Sequence, residues 1–375
     1  MNTSRWLITG SLLLTIGAGV YIGIRYLLNP AKASTPEKLA RMRDVATERL
    51  RNAGYPLSAK EFHALEPSAP QDEQFKRLME YKIGDQEVID PALTELMAVI
   101  DKYDNAGLMP DPDIEEYTPP AATLMQMHAL VAYNIMLIQE AVERKDADML
   151  PKLINRSLSL INCTINDFSV ISQLLGFGFY IISADAFSTA LPYINEHELM
   201  KLSHRLTEIE EKFSLTIKNS VAFEATYLTL EEILSNPEEV VALYNSSNVK
   251  MIEQDIDRYI DLLFTIADVG KLEFYQIDEN IRNFDNGSSD SIMISKSSIS
   301  PRLLHVKARA TALMRMTQDA IDLEIIRRKE GAYPQTFNTR TDPFTGEPII
   351  YEPGIQLYVN YPSKADIPVV LKLAQ

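Results

Sequence analysis

Nineteen consecutive uncharged residues, Trp6 to Ile24 (WLITGSLLLTIGAGVYIGI), stand between Arg5 and Arg25 and constrain the chain more than any other feature. As a helix rising ~1.5 Å per residue, the run would be about 28 Å long, against a bilayer core of roughly 30 Å. Trp6 lies at one end and Tyr21 and Tyr26 near the other, where aromatic rings anchor a span at the lipid–water interface. The expectation is a transmembrane helix that fixes residues 1–28 to a lipid bilayer through residues 6–24. A cleaved signal peptide competes with it, because Ala31-Lys32-Ala33 precedes Ser34 in an A-x-A pattern and Arg5 supplies a basic start. The apolar run is longer than the usual signal core of roughly 7–15 residues, and Arg25 interrupts the path to the cleavage pattern. Retention as an anchor is therefore the preferred reading. Gly19 and Gly23, four apart, permit close helix pairing, so a homodimer through them is a further expectation.

A second uncharged run, Phe168 to Ala184, carries Ser169, Ser172, Gln173 and Ser183 and lies among helices of soluble type. It is expected to be a buried core helix. Arg25, Lys32, Lys38, Arg41 and Arg43 follow the first span, and by the positive-inside rule alone they would hold the body in the cytoplasm. Long domains translocate largely regardless of such charges, and a chain with the single cysteine Cys163 is compatible with an oxidising exterior. The body is expected outside a cytoplasmic membrane, as the periplasmic part of a single-pass protein.

The 375 residues are 46% hydrophobic and 23% charged, which excludes wholesale disorder. Glycine and proline, 14 and 20 residues, make up about 9% of the chain, less than is usual, and favour helices. A net charge of −16 leaves no surplus of Lys and Arg to displace phosphate counterions, so no nucleic-acid partner is expected. One cysteine excludes an internal disulfide framework and a thiolate zinc cluster.

Periodicity makes the rest mainly α, an antiparallel helical array followed by a small antiparallel β-sheet. Residues 29–118 hold short helices and a proline-rich connector. Thr35-Pro36-Glu37 opens the first helix, with Leu39, Met42, Ala46 and Leu50 on one face and Gly54 at its end. Ser58-Ala59-Lys60-Glu61 is a capping box, and further helices are expected over Gln74–Lys82 and from Pro91 to about Tyr103. Residues 119–331 form the array. Its helices cover 121–144, the return from an Asp148 cap to Cys163, 168–190 behind Asp167, and one opened by Asn195. Asn236-Pro237 caps another helix, the polar stretch 285–300 is a loop, and Pro301 starts a long helix to Glu330 with Gly331 as its stop. Residues 332–375 are the β tail, with strands at Ile349–Glu352, Ile355–Val359 and Val369–Leu373. Pro353-Gly354 suits a type II turn.

Certain stations resemble a family of membrane-anchored helical bacterial proteins with no assigned reaction. They are Leu57 to Phe62, the helix start Val170-Ile171-Ser172-Gln173-Leu174, and the tail Gly331-Ala332-Tyr333-Pro334 with Asp342-Pro343-Phe344-Thr345-Gly346-Glu347-Pro348. The resemblance implies an architecture rather than an activity. The tail alone is similar to that of pseudopilins, although some 270 residues separate the span from the helix before it, and Asn360 to Lys364 stand where an acidic loop often follows. By its own chemistry the tail motif is a turn: Asp342 accepts amide hydrogen bonds, Pro343 fixes φ, and Gly346 takes a positive φ.

Candidate chemistry is sparse. His197 and His204 share a helical face with Glu208 and Glu211, but Lys201 occupies the second histidine position of H-E-x-x-H, and a solvated acidic face explains the group. His128, on an apolar stripe, is expected to be a hydrogen-bonded core histidine, and Cys163 an inert core thiol. Asp285-Asn286-Gly287 fails as a calcium loop because Arg282 and Phe284 fall where acids belong. Gly176 and Gly178 lie inside an apolar helix and mark a kink or a close helix approach, not a nucleotide loop. No catalytic, cofactor or metal residue is singled out. The expected function is that of a membrane-tethered, non-catalytic protein that binds an unknown protein partner or acts as a scaffold at the cell envelope. A component of a pilin-like secretion or fibre system, and a hydrolase working through paired carboxylates, are the alternatives.

Overall fold

Prolines open several helices of this chain and glycines with positive φ close them. The computed structural model describes residues 36–55, 61, 72–83, 89–103, 121–167, 169–223, 249–282, 302–359 and 369–373. The span Trp6–Ile24 with Gly19 and Gly23, the Ala31–Ser34 pattern, Leu57, the capping box at 58, the connector 107–120, the Asn236 cap, the stretch 285–300 and residues 360–364 lie outside the described residues. What is described is mainly helical, with a small three-stranded antiparallel sheet.

Helix α1 (Pro36–Asn52) ends before Gly54, whose φ is +77°. Helix α2 (Glu73–Glu80) starts where the Asp72 carboxylate accepts the Gln74 amide at 2.7 Å. Helix α3 (Pro91–Met97) is capped in the same way by Asp90 and tightens into a 3-10 turn, Ala98–Lys102. The pattern thus predicts both helices and misses only their ends.

Helices α4 (Ala121–Glu143) and α5 (Leu150–Ile165) follow, joined by a turn in which Lys145 takes a φ of +55°. Asp146, rather than Asp148, caps this turn, its Oδ1 accepting the amides of Asp148 and Met149. Helix α6 (Val170–Ala190) is capped two residues later than the pattern suggests. Ser169 Oγ accepts the Ser172 amide at 3.2 Å, and Asp167 braces the Ser169 amide at 2.9 Å. With the following 3-10 turn (Leu191–Tyr193), α6 is long and apolar enough to cross a membrane, at a mean hydropathy of 1.5, yet most of it is buried inside the protein. Phe177, Phe179, Tyr180 and Phe187 are all within 1% of full burial. Each such side chain contributes roughly 2 kcal/mol when removed from water, so the core helix its serines imply is what forms.

Two residues of α6 fix how its neighbours approach. Gly176 faces α5 so closely that a Cβ there would overlap Ile165 Cγ2. Gln173 donates to the carbonyls of Ile165 and Asp167 and accepts from Thr216 Oγ1 at 2.8 Å. That single amide joins α6 to helix α7 (Glu196–Phe223), which Asn195 caps as expected. Helix α8 (Val249–Val269) packs on α7 and α1, and a single helical turn (Glu279–Arg282) follows it. Helix α9 (Arg302–Glu330) is buried along most of its length and stops at Gly331, φ +81°.

The tail forms strands β1 (Ile350–Glu352), β2 (Gln356–Tyr358) and β3 (Val370–Lys372), in that spatial order and antiparallel. Tyr351 pairs with Leu357, and Leu357 with Leu371, across a turn where Gly354 has φ +69°. An isolated hairpin is marginal in water, and this sheet gains its stability from α6 and α9. Ser188 Oγ of α6 donates to the Lys372 carbonyl at 2.6 Å. The buried residues run as one core from α1 to β3.

Gly176→Val would drive a branched side chain into α5. It is expected to cost about 1–3 kcal/mol in urea unfolding, the usual penalty for overpacking. An unchanged midpoint would show that the two helices have room to spare.

Candidate functional site

The inward face of α9 is not uniformly apolar. Lys307, Thr311, Arg315 and Gln318 recur at helical spacing on one wall of a cleft of about 400 Å³. Thr207, Glu210 and Glu211 of α7 form a second wall, the segment Leu272–Ile277 a third, and Arg340 and Pro343 of the tail close the rim.

Each wall is placed by local chemistry. Glu273 and Gln276 form a reciprocal capping box around the 3-10 turn Phe274–Gln276. The tail loop is the turn its residues predict: Asp342 Oδ1 accepts the Phe344 amide at 2.8 Å, Oδ2 accepts the Thr345 hydroxyl at 2.9 Å, and Gly346 has φ +80°. This loop is pinned to the cleft. Phe344 is 2% exposed, with its ring 5.4 Å from Phe274 and 5.8 Å from His305, and the Tyr275 amide donates to the Pro343 carbonyl. Tyr333 of the G-x-Y-P segment packs against Gly354 and donates to Glu324 at 3.4 Å.

The charges in the cleft answer one another. Arg315 lies between Glu210, at 2.7 Å, and Glu273, at 2.8 Å, and also donates to the Thr341 carbonyl at 2.9 Å. Burial pushes the Glu210 carboxyl above its ordinary range against the pull of Arg315. Arg340 reaches back to Asp319 and Asp322 of α9, and its backbone amide donates to Asp319 at 3.0 Å. Asp319 is fully buried, and desolvation pushes it up to about 6 despite that arginine. Lys307 has a different environment. Its Nζ donates to the carbonyls of Gly270 at 2.6 Å and Leu272 at 3.5 Å, and burial lowers it to about 8 while Glu273 pulls the other way.

The residues weighed from sequence lie elsewhere. His197 and His204 are exposed, and His204 sits 3.4 Å from an exposed Glu208. Among the described residues no group of three or more His, Cys, Asp or Glu is arranged to hold a metal ion. His128 is half-buried against Phe179, at 5.9 Å between ring centroids, and burial lowers its pKa. The expected core hydrogen bond is not formed among the described residues. Cys163 is fully buried with Sγ directed at the Tyr103 carbonyl. The polar stripe Lys307, Thr311, Arg315 was missed in the sequence because it lies beside the apolar stripe of Leu303, Ala310, Leu313, Thr317 and Ile321. Its signal is a four-residue spacing of donors on a helix that is buried on several sides.

The lysine makes a pH-dependent prediction. An unfolded chain holds the lysine proton up to a pKa of ~10.4, whereas the folded chain releases it near 8. Between those values the unfolded state binds more protons, so stability rises with pH. Lys307→Met removes this rise. Urea unfolding at pH 7 and at pH 10.5 should show wild type gaining up to about 3 kcal/mol relative to the variant. Parallel behaviour of the two proteins would contradict the assignment.

Comparison of the chain with protein-family models, with curated proteins and with solved structures finds no match.

Proposed function

We propose that the protein is tethered to a cytoplasmic membrane by one helix, residues 6–24, and presents its helical body outside that membrane to bind a protein partner or to act as a scaffold. One observation supports binding over catalysis. The two glutamates that converge in the cleft, Glu210 and Glu273, are both held by the same guanidinium of Arg315. A general acid or nucleophile needs a lone pair or proton free to reach substrate, and here both oxygens of Glu273 and Oε1 of Glu210 are engaged by that guanidinium.

The tether is supported by the length and flanks of the apolar run, and the resemblance to membrane-anchored bacterial proteins agrees with it. The pilin-like alternative has one observation in its favour, a long helix ending at glycine and followed by a three-stranded antiparallel sheet.

Two measurements test the proposal. After washing at high pH, the full chain is expected to stay with membranes and a chain starting at Ser34 to be released. Release of both, or a mature N-terminus at Ser34, would end the tethering account. Affinity capture from the native membrane should then recover a stable partner or a second copy. Recovery of secretion-apparatus subunits would transfer support to the pilin-like reading, and recovery of neither partner nor self would contradict the binding role.

A further inference from the structure

A buried lysine ammonium requires a counter-ion or a full set of acceptors, because a bare charge away from water is costly. Lys307 is 8% exposed, and its two acceptors are both carbonyls, one at 2.6 Å and one at 3.5 Å. No carboxylate lies within ion-pair distance of it among the described residues, and the two glutamates of the cleft, Glu210 and Glu273, are engaged by Arg315. One turn further along α9, Thr311 is 4% exposed, and its hydroxyl has no hydrogen-bond partner among the described residues. Residues four apart on a helix have Cβ atoms about 5–6 Å apart, a spacing that two oxygens of one group can bridge. Both side chains line the same cleft, and Leu272, Phe274, Ile277, Leu304 and Pro343 line it too.

We propose that this cleft is a binding site for a small organic monocarboxylate. Its carboxylate oxygens accept from Lys307 Nζ and Thr311 Oγ1, and its apolar body lies against Leu272, Ile277 and Leu304. A single negative charge is specified by the other residues present. Glu210, Glu211 and Glu273 line the cleft as well, so a dianion such as phosphate would meet three carboxylates for one unpaired cation. The volume, about 400 Å³, suits a small molecule, at the lower end of the roughly 300–1,000 Å³ usual for such sites. The site stands whether or not the tether proposed above does, because it uses only residues of the body.

The test is calorimetric titration of the full chain in phosphatidylcholine nanodiscs at pH 7, with empty nanodiscs as control. The probes are hexanoate, benzoate and inorganic phosphate. Both acids are expected to bind the protein and phosphate is not. Lys307→Met should abolish binding of the acids. Thr311→Val should weaken it by about tenfold, the loss of one hydrogen bond to a charged group, and Thr311→Ser should restore it. Should Lys307→Met fail to fold, the Val and Ser variants at position 311 decide. Wild type that binds neither acid, Val and Ser variants that both bind as wild type does, or phosphate bound more tightly than the acids would each overturn the proposal.

Discussion

Helix α9 is buried with three of its inward charges answered by ion partners and the fourth, Lys307, held by backbone carbonyls. It holds Lys307, Arg315, Asp319 and Glu324 within one element that has neighbours on several sides. Any of them left alone in the interior would cost several kcal/mol. Arg315 is answered by α7 and by the segment at 273, Asp319 by Arg340 of the tail, and Glu324 by Arg327 and Arg328 of its own last turn. Arg328 in turn donates to the carbonyls of Leu191 and Pro192, which ends α6 against α9. The surrounding elements can therefore dock only in the register that brings these answers into place. Such pairs add little net stability over a well-packed apolar core, and their effect is to specify one arrangement.

The tail shows how local and long-range physics combine. Its Asp-Pro-Phe-Thr-Gly turn is made by hydrogen bonds within six residues. Its position is decided by Phe344 between Phe274 and His305, and by Arg340 reaching Asp319. The same docking closes the rim of the cleft, so the geometry available to a ligand depends on a turn whose own chemistry is purely structural.

Much of the fold could be read from residue order. The starts at Pro36, Pro91 and Asn195, the stops at Gly54 and Gly331, the buried nature of α6 and the three tail strands all follow from side chains close in sequence. The caps lie two residues from the expected positions at Asp146 and Ser169, because several Asx or Ser side chains compete for the same amides and only the packed turn chooses. The cleft was not legible. Its partners are joined across 105 residues in the Arg315–Glu210 pair and 42 in Arg315–Glu273, and no periodicity links them. The stranded hydroxyl of Thr311 is invisible for the same reason, since an unmet hydrogen bond is a property of neighbours and not of the residue.

The dependence of the tail on the buried charge of α9 can be measured directly by a double-mutant cycle at Asp319 and Arg340, with Asp319→Asn and Arg340→Met made singly and together. If the pair fixes the tail on α9, urea unfolding will show the two losses to be strongly non-additive, with a coupling above about 1 kcal/mol. Losses that add to within ~0.5 kcal/mol would mean the tail is held by its other contacts, and that this charge pair follows the fold and does not direct it.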